Sequence, residues 1–520
     1  MLRAQVRGFC SVNNLNRLIN ESVRNGRLMD ARKLFDENPK GRDIVTWNSI
    51  ISGYVKNEQI HTAQQLFDEM PEKDVVSWNT MLKGFQRIND IEKLVSYFKQ
   101  MIMYGLKPTE FTIAILITAL SNEEFRILIQ QIHTRVVNLG LNSSVFVGSA
   151  LMKSYMSMGC PVAIYRVFEE ILVKDVTSWN ALLSGYMNLG CVDQGRRAFE
   201  IMPERNVVSW TTMVNGLVNN KKLDEARFYF DEMPEKNVVS WTVMISGYER
   251  NDQFVEALEL FVLMRRLGYC PNQITLSSAL SACAGFSTLV FGMQIHTSLI
   301  KSGQPVDIIL SSTLVDMYAK CGDINAANSA FELIPEKNLG SWNSIIGGFA
   351  EHGLGVKALE KFESMKNVGV RPDEITLVHV LSACARGGLT DEGEMHFEKM
   401  EREYAVKPGI QHFACMVDLY GRVGQLEKAV ELIRKMPFEP DVVIWGALLG
   451  ACGLHSSLEV GLFAAEEMHK LEQDHPAVYS LLTKIQGEKG MWNQVTELRN
   501  MMKQSGARKQ KAGSWIESPT

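Results

Sequence analysis

The sequence predicts an all-α solenoid built from helix–turn–helix repeats. One phrase is written twice in succession: NVVSWTTMVNGLVNNKKLDEARFYFDEMPEK begins at Asn206, and NVVSWTVMISGYERNDQFVEALELFVLMRR begins at Asn237. The same spacing of 31 residues separates Trp210 from Trp241 and recurs between other tryptophans. A fixed period of this length is typical of repeat proteins, in which each unit packs mainly against its neighbours.

The composition narrows the classes of function. The 520 residues carry a formal charge of −5, and the pI is near 6.1. A nucleic-acid partner would therefore need a local basic track. No stretch reaches the ~20 apolar residues of a membrane-spanning helix, so no membrane partner is expected. The nine cysteines contain no C-x-x-C pair, which indicates buried thiols in a reducing compartment.

The first twenty residues contain Arg3, Arg7 and Arg17 and have no acidic residue before Glu21. This composition is typical of an organelle transit peptide. We therefore expect a short transit segment at residues 1–11. The arginines favour import into the mitochondrion, with the chloroplast as the alternative.

The units are defined by placing position one at the first residue after each loop. Thirteen units of 31 to 36 residues form the predicted array, at 12–43, 44–74, 75–109, 110–144, 145–175, 176–206, 207–237, 238–272, 273–307, 308–338, 339–373, 374–409 and 410–441. Two degenerate units follow at 442–475 and 476–509, and residues 510–520 form the tail.

Unit 207–237 shows why each unit is expected to form two antiparallel helices. Its first helix has an apolar face with helical spacing, formed by Trp210, Met213, Val214 and Leu217. The second helix has another face of this kind and ends before Pro234, because a proline disfavours helical geometry at the preceding residue. Position 24, a phenylalanine in nine units, is assigned to the core at Phe35, Phe67, Phe98, Phe168, Phe199, Phe230, Phe261, Phe331 and Phe362.

Two positions carry small polar side chains in most units. Position five, within the first helix, is Asn48, Asn79, Ser149, Asn180, Thr211, Thr242, Ser312 and Asn343, after Asn16 in the first unit. The last residue of the same units is Asp74, Thr109, Asp175, Asn206, Asn237, Asn272, Asn338 and Asp373, after Asp43. Capping of the next helix explains the last position. It does not explain position five, where Asn and Thr are mediocre helix formers, and where they can instead pair with the edge of a base.

Two further positions are apolar or basic. Position two is usually apolar, as at Val45, Val76, Val208, Val239 and Ile309. Position thirteen is basic at Arg24 and at Lys56, Arg87, Arg250, Lys320 and Arg422. A cation that recurs at the end of the first helix can contact successive phosphates or complement the helix dipole, and the sequence leaves both interpretations open.

The repeated VVSW phrase and the unit ends of the form Met-Pro-Glu-(Lys/Arg)-(Asn/Asp) resemble pentatricopeptide repeats. The mixture of 31- and 35-residue units is similar to the plant PLS subclass of that family. The stretch from His412 to Cys452 resembles the last short repeat running into an E domain, and Gly513 to Glu517 resembles the end of that domain. The resemblance implies a right-handed superhelix that binds single-stranded RNA, one base per repeat, with bases held between position-two side chains.

The resemblance also implies a code for positions five and last. In the family, Ser or Thr with Asn specifies A, Asn with Asp specifies U, Asn with Asn specifies a pyrimidine with C favoured, and Ser or Thr with Asp specifies G. Taken in chain order, with n for long-type and unmatched units, the expected target is 5′-UUYnGYAAnAUnn-3′.

Proteins of the family with an E domain specify cytidines for C-to-U editing of organelle transcripts. The family's deaminase is a DYW domain with H-x-E and P-C-x-x-C motifs that hold zinc. The H-x-E of this chain, at His396 to Glu398, lies inside a repeat helix and no C-x-x-C follows it. We therefore expect no catalytic residue, metal or cofactor in this chain, and a DYW-type deaminase or other editing factor recruited in trans. An RNA stability, splicing or translation factor, or a protein-binding α-solenoid scaffold, are the alternatives.

Overall fold

The computed structural model describes residues 12–303, 306–455, 457–472 and 476–504. The expected transit segment at 1–11 and the tail at 510–520 lie outside the described residues. Every regular element in the described ranges is helical, which confirms the all-α fold. The chain divides into two compact parts, Met1–Val243 and Met244–Thr520, called here the N-terminal and C-terminal parts.

The helices are numbered in chain order, so that odd numbers mark the first helix of each unit. The first fifteen are α1 Val12–Arg24, α2 Leu28–Glu37, α3 Ile44–Lys56, α4 Ile60–Glu69, α5 Val75–Arg87, α6 Ile91–Met103, α7 Glu110–Ala119, α8 Arg126–Asn138, α9 Val145–Ser157, α10 Pro161–Glu170, α11 Val176–Asn188, α12 Val192–Ile201, α13 Val207–Asn219, α14 Leu223–Glu232 and α15 Val238–Arg250. Two short 3₁₀ turns occur at Pro39–Gly41 and Glu123–Phe125.

The next fifteen helices complete the described chain. They are α16 Phe254–Arg266, α17 Gln273–Phe286, α18 Leu289–Ser302, α19 Ile308–Lys320, α20 Ile324–Glu332, α21 Leu339–Glu351, α22 Gly355–Asn367, α23 Glu374–Gly387, α24 Thr390–Arg402, α25 Ile410–Arg422, α26 Leu426–Arg434, α27 Val442–His455, α28 Leu458–Leu471, α29 Pro476–Glu488 and α30 Trp492–Gln504. None of the described helices is both long and apolar enough to span a membrane.

Within each part, the first helices of consecutive units pack side by side. Helix α3 packs on α5 in the N-terminal part, and α19 packs on α21 in the C-terminal part. Within each part, second helices pack on the first helix of their own unit, as α14 does on α13 and α20 does on α19. This stacking lets each unit bury an apolar face that it cannot cover alone.

An aromatic pair joins consecutive units in the core. The rings of Phe67 and Trp78 meet edge to face with centroids 4.9 Å apart, a favourable aromatic geometry. Phe98 departs from this pattern, because it is only half-buried. The adjacent Tyr97 is buried instead, with its ring centroid 5.9 Å from that of Trp78. Phe98 thus packs against the core without being enclosed by it, and Tyr97 at position 23 supplies the buried ring of this unit.

Glycine at position ten lets neighbouring first helices approach closely. A Cβ atom added to Gly348 would lie 2.8 Å from the Cβ of Ala319 on the preceding first helix. At Gly84 the corresponding neighbours are side-chain atoms of Val55 and Ile60, at 3.2 and 3.3 Å. Close packing of first helices keeps the equivalent positions of successive units near one another.

Candidate functional site

The last residue of each unit lies at the start of the next unit's first helix. The side chain of Asp74 accepts a hydrogen bond of 2.8 Å from the backbone N–H of Ser77, three residues later. Asp373 accepts the same bond, also of 2.8 Å, from the backbone N–H of Thr376. The same contact is made at Thr109, Asp175, Asn206, Asn237, Asn272 and Asn338. These caps satisfy one of the backbone donors that a helix leaves unpaired at its start. The capping role is therefore present at each of these positions.

Position five brings its side chain to the last residue of the same unit. The Nδ2 of Asn48 donates to Oδ1 of Asp74 over 3.2 Å, and Asn343 makes the same bond to Asp373. The Oγ of Ser312 lies 3.5 Å from Oδ1 of its unit's last residue. The two polar positions of a unit thus meet in space although a whole helix pair separates them in the chain.

Several position-five side chains bond to other groups. The hydroxyls of Thr211, Thr242 and Ser312 donate to the carbonyl four residues earlier, each over 2.7 Å. The Oδ1 of Asn79 accepts from the hydroxyl of Thr112 over 2.7 Å. A hydroxyl that donates to its own helix keeps its oxygen lone pairs for an incoming donor.

Other position-five atoms are buried and have no partner among the described residues. They are Oδ1 of Asn48, Oγ of Ser149 and Oδ1 of Asn180. A buried acceptor without a hydrogen bond costs free energy, because it has lost water and gained nothing. A ligand that donates a hydrogen bond there would remove that cost.

A third polar position, which the sequence pattern did not single out, lies beneath this pair. It is position three of the following unit, and a fully buried hydroxyl occupies it at Thr46, Ser77, Thr112, Ser178, Ser209, Ser240, Thr275, Ser341 and Thr376. The Oγ1 of Thr376 lies 2.7 Å from both Asn343 Oδ1 and Asp373 Oδ1. The signal was the serine before each tryptophan of the repeated phrase, but a serine near a helix start is common and indicates capping alone.

The position-two side chains are exposed although they are apolar. The five predicted from the sequence expose 54% to 64% of their surface: Val45, Val76, Val208, Val239 and Ile309. Five further units place an exposed apolar side chain at the same position, at Phe111, Phe146, Ile274, Ile375 and Val443. Single exposed apolar residues are ordinary, whereas a row of them at one repeat position indicates a surface that meets a partner.

In the N-terminal part, the positions predicted to bind converge on one cleft. The cleft has a volume of about 390 Å³ and lies between Val45 and Val76. Asn48, Asp74 and Lys56 also line it. A neighbouring cleft of about 460 Å³ is lined by the corresponding residues Val76, Asn79, Arg87 and Phe111, together with Lys56 and Lys83.

The position-thirteen cations end their first helices and are exposed: Lys56, Arg87, Arg250, Lys320 and Arg422. Three of them form ion pairs at these N···O distances: Arg87 with Glu58 (3.9 Å), Lys320 with Asp316 (2.9 Å) and Arg422 with Asp418 (2.8 Å). The last two acids lie one helical turn earlier, at position nine. Their carboxylates offset part of the positive charge that a phosphate would meet.

The carboxylates of Asp74 and Asp373 are ionised at neutral pH. Burial alone raises the pKa of Asp74, but hydrogen bonds from the Ser77 side chain and backbone and from Asn48 outweigh it and hold the pKa below the usual 3.8. Asp373 follows the same logic, with Thr376 and Asn343 as donors. Each carboxylate can therefore only accept hydrogen bonds, which fixes the amide nitrogen of the adjacent asparagine towards it.

The histidines are held by structural contacts. His396 of the H-x-E is buried, and its Nδ1 lies 3.2 Å from the hydroxyl of Tyr404. His133 and His296, at equivalent positions of two long units, each bond to a tyrosine hydroxyl of the following unit, at 3.0 and 2.8 Å. In the ranges that the structure describes, no group of three or more His, Cys, Asp or Glu residues is arranged to hold a metal ion.

Comparison with protein families identifies two kinds of motif in the chain. The model of the PPR repeat family matches residues 42–75, 73–122, 236–285 and 337–386. The PPR repeat model matches residues 177–207, 208–238, 310–339, 375–404 and 412–439. The E motif model matches residues 455–517.

Several Arabidopsis thaliana proteins are similar over most of the chain. The pentatricopeptide repeat-containing protein At2g21090 is 42% identical over 99% of this chain and 81% of its own length. The mitochondrial protein At2g03880 is 30% identical over 97% of this chain and 64% of its own length. The chain spans only 32% to 64% of the length of this and six other relatives, some of which are named as mitochondrial or chloroplastic.

The fold also matches a solved structure. The crystal structure of the pentatricopeptide repeat protein PPR10 from maize has a TM-score of 0.53 to this chain, at 19% identity. The match covers 96% of this chain and 80% of that one. At this identity the match establishes a shared solenoid fold and no more.

Proposed function

This chain belongs to the pentatricopeptide repeat family, and we propose that it binds single-stranded RNA sequence-specifically, with one base at each repeat. The observation that carries the proposal is the cleft of unit 44–74. There, the exposed Val45 and Val76, the polar pair Asn48 and Asp74, and the cation Lys56 line one space of about 390 Å³. A peptide-binding groove gives no reason for one mid-helix position to be almost always Asn, Ser or Thr.

The chemistry of that cleft suits an unstacked nucleotide. The two valines present apolar surface to the faces of a flat base, and Asn48 and Asp74 present an amide and a carboxylate to its edge. Lys56 supplies positive charge for the phosphate. Uracil offers O4 as an acceptor and N3–H as a donor, which complement an amide N–H and an ionised carboxylate. The pair is therefore matched to uracil, in agreement with the code expected for Asn with Asp.

We further propose that the protein is a site-recognition factor for C-to-U editing of organelle transcripts, with a DYW-type deaminase or other editing factor recruited in trans. The match of the E motif to residues 455–517 supports an editing role. Relatives named as mitochondrial and chloroplastic support an organelle location, and the arginines near the start of the chain favour the mitochondrion. No residue of the described chain is assigned to catalysis.

RNA binding by the purified full chain tests the first part of the proposal. We expect a labelled strand carrying UUYnGYAAnAU to bind more tightly at physiological salt than a scrambled strand. Replacing Thr211→Asn together with Asn237→Asp should shift the preference at the seventh base from A to U. A matched RNA with that base exchanged is the control. Equal binding of predicted and scrambled strands would refute sequence-specific recognition.

Editing requires a separate test in the plant. We expect loss of the protein to abolish conversion of one or a few organelle cytidines that lie 3′ to a match of the predicted sequence. Sequencing of organelle cDNA measures this. Unchanged editing with reduced abundance or splicing of the bound transcript would replace the editing role with one in RNA stability or processing.

A further inference from the structure

A threonine of the next unit contacts both Asn343 and Asp373, the position-five and last residues of unit 339–373. Thr376, at position three of unit 374–409, is fully buried. Its Oγ1 lies 2.7 Å from Asn343 Oδ1 and 2.7 Å from Asp373 Oδ1. The amide of Asn343 thus has its nitrogen on the carboxylate, and its oxygen shares the single proton of the threonine hydroxyl with Asp373. These contacts at both ends fix the orientation of the Asn343 amide.

The same pair occurs at Asn48 and Asp74 with a serine below it. Asn48 Nδ2 again lies 3.2 Å from the carboxylate. The hydroxyl of Ser77 bonds to Asp74 over 2.7 Å, and Oδ1 of Asn48 is buried without a partner among the described residues. The two sites therefore share their position-five and last residues and differ in whether the amide oxygen is engaged.

Other units fall into the same two groups. With threonine at position three, Thr46 contacts Asn16 Oδ1 at 2.5 Å, and Thr112 contacts Asn79 Oδ1 at 2.7 Å. With serine, Ser209 bonds to Asn206, the last residue of the preceding unit, and Oδ1 of Asn180 has no partner in the described chain. The γ-methyl of threonine restricts its χ1 rotation, whereas a serine hydroxyl rotates more freely.

We propose that position three of the following unit is a specificity-positioning residue, which decides whether a position-five asparagine can accept a hydrogen bond from a pyrimidine. This inference rests on the proposed RNA recognition and deepens it. A threonine engages the amide oxygen and leaves the amide to act through its second N–H, as a donor. A serine leaves this buried oxygen without a hydrogen-bond partner among the described residues, so the amide can also act as an acceptor.

The distinction separates uracil from cytosine. Uracil presents an acceptor, O4, where cytosine presents its N4 amino donor. A donor-only amide therefore discriminates against cytosine, whereas an amide with an unpaired oxygen tolerates it. The undecided pyrimidine at the third base, read by Asn79 above Thr112, is assigned to U. The undecided pyrimidine at the sixth base, which Asn180 reads and where Ser209 is the position-three residue of the following unit, is assigned to C.

Reciprocal substitutions at the two matched sites test the inference. RNAs carrying U or C at the second base report on Asn48, and RNAs carrying U or C at the eleventh report on Asn343. We expect Thr376→Ser to lower the ratio of U to C affinity at the eleventh base about three- to tenfold, the worth of one net hydrogen bond. Ser77→Thr should raise the ratio at the second base by a similar factor. Both residues are natural at this position in other units, so the variants should fold.

The readout separates specificity from structure, since a merely structural role would change affinity for U and C equally. Each variant also serves as the other's control, because Thr376→Ser should leave the ratio at the second base unchanged. RNA recognition stands if the predicted strand is bound selectively and the Thr211→Asn, Asn237→Asp exchange shifts the preference at the seventh base. If, in that case, both U-to-C ratios stay constant in the position-three variants, the role of position three is refuted. If no strand is preferred by any variant, the proposed function fails and this inference fails with it.

Discussion

The last residue of a unit both caps a helix and faces the proposed base. Asp373 accepts from the backbone of Thr376 and from the amide of Asn343. One carboxylate therefore links the start of α23 to the middle of α21. Aspartate and asparagine are both good caps, so capping does not decide between them. Only aspartate carries a charge, so contact with the proposed base can decide between them.

Asp373→Asn should make stability less sensitive to acid. Hydrogen bonds hold the pKa of Asp373 below its usual 3.8 despite partial burial. A lowered pKa means that this carboxylate stabilises the fold above about pH 4 and that the contribution is lost as pH falls through the folded-state value. Asparagine keeps the cap but does not titrate. Urea unfolding midpoints between pH 7 and pH 3 should therefore fall less in the variant than in the parent.

A second variant separates the cap from the charge. Asp373→Ala removes both and should cost about 0.5–2 kcal/mol at pH 7, more than Asp373→Asn costs. An identical acid dependence in the parent and the asparagine variant would show that Asp373 does not titrate differently in the folded and unfolded states.

Phe230→Ala should be among the most destabilising single changes. Phe230 is 1% exposed, and its ring centroid lies 4.9 Å from that of Trp241 in the next unit. Truncation removes a buried ring and leaves a cavity, at a cost of about 3–5 kcal/mol. Phe228→Ala on the same helix is the control, because Phe228 is 61% exposed and should change stability by only about 0.5 kcal/mol. Urea unfolding followed by circular dichroism compares the two; similar midpoints would contradict the assigned core.

At the level of helices, most of the fold could be predicted from the sequence. The first helix α3 begins at Ile44 and α13 begins at Val207, each directly after a capping residue, and such caps are local signals that a sequence displays. The deeper burial of Tyr97 than of Phe98 was not predicted, because periodicity does not fix which of two adjacent aromatic residues faces inward.

The candidate site could be predicted only in part. The residues at positions two, five and last stood out by their chemistry at fixed spacing. The hydroxyl at position three did not, because its contact with position five of the preceding unit joins side chains about one repeat apart, such as Asn343 and Thr376. A single sequence shows each position but not which pairs meet. The engagement of Lys320 by Asp316 differs, because two opposite charges four residues apart on a predicted helix can be paired from the sequence.

Gly348→Ala should test the close approach of first helices. Alanine is favoured over glycine within a helix by about 1 kcal/mol. At Gly348, however, the new Cβ would lie 2.8 Å from the Cβ of Ala319, and the two helices would have to separate. Overpacking of this kind costs about 1–3 kcal/mol, so a net loss of stability is expected.

Gly450→Ala is the matched control for this substitution. Gly450 also lies within a first helix, α27, and nothing is within 4 Å of its added Cβ. The Gly450→Ala variant should be more stable than the parent protein by up to about 1 kcal/mol, as helix propensity alone predicts. Thermal unfolding of both variants gives the comparison. A stabilised Gly348→Ala would mean that the first helices do not need glycine in order to pack.

For the molecule as a whole, the question is how an acidic chain would hold the proposed RNA, which is a polyanion. The net charge of −5 has to be overcome locally. The residue one turn before Lys56 is Ser52, whereas the residues one turn before Lys320 and Arg422 are aspartates that pair with them. Free cations attract phosphate more strongly than cations already paired. We therefore expect unequal contributions to RNA binding from cations at the same repeat position.

The salt dependence of RNA binding measures this difference. Each phosphate neutralised on a single strand contributes about 0.7 to the slope of log Kd against log salt concentration. Lys56→Gln should reduce the slope by about that amount. Lys320→Gln should reduce it less, because Asp316 already offsets part of the Lys320 charge in the parent protein. Asp316→Asn should raise the slope and tighten binding, since it releases Lys320 for a phosphate.

The control for these slopes is Lys33→Gln, which changes an exposed lysine on the second helix α2 and should leave the slope unchanged. Lys33→Gln removes the same charge as Lys56→Gln, so it shows the effect of the change in net charge alone. Equal reductions from Lys56→Gln and Lys33→Gln would mean that RNA responds to total charge. The position-thirteen cations would then serve their helix ends, and the backbone of the RNA would have to be held elsewhere on the first helices.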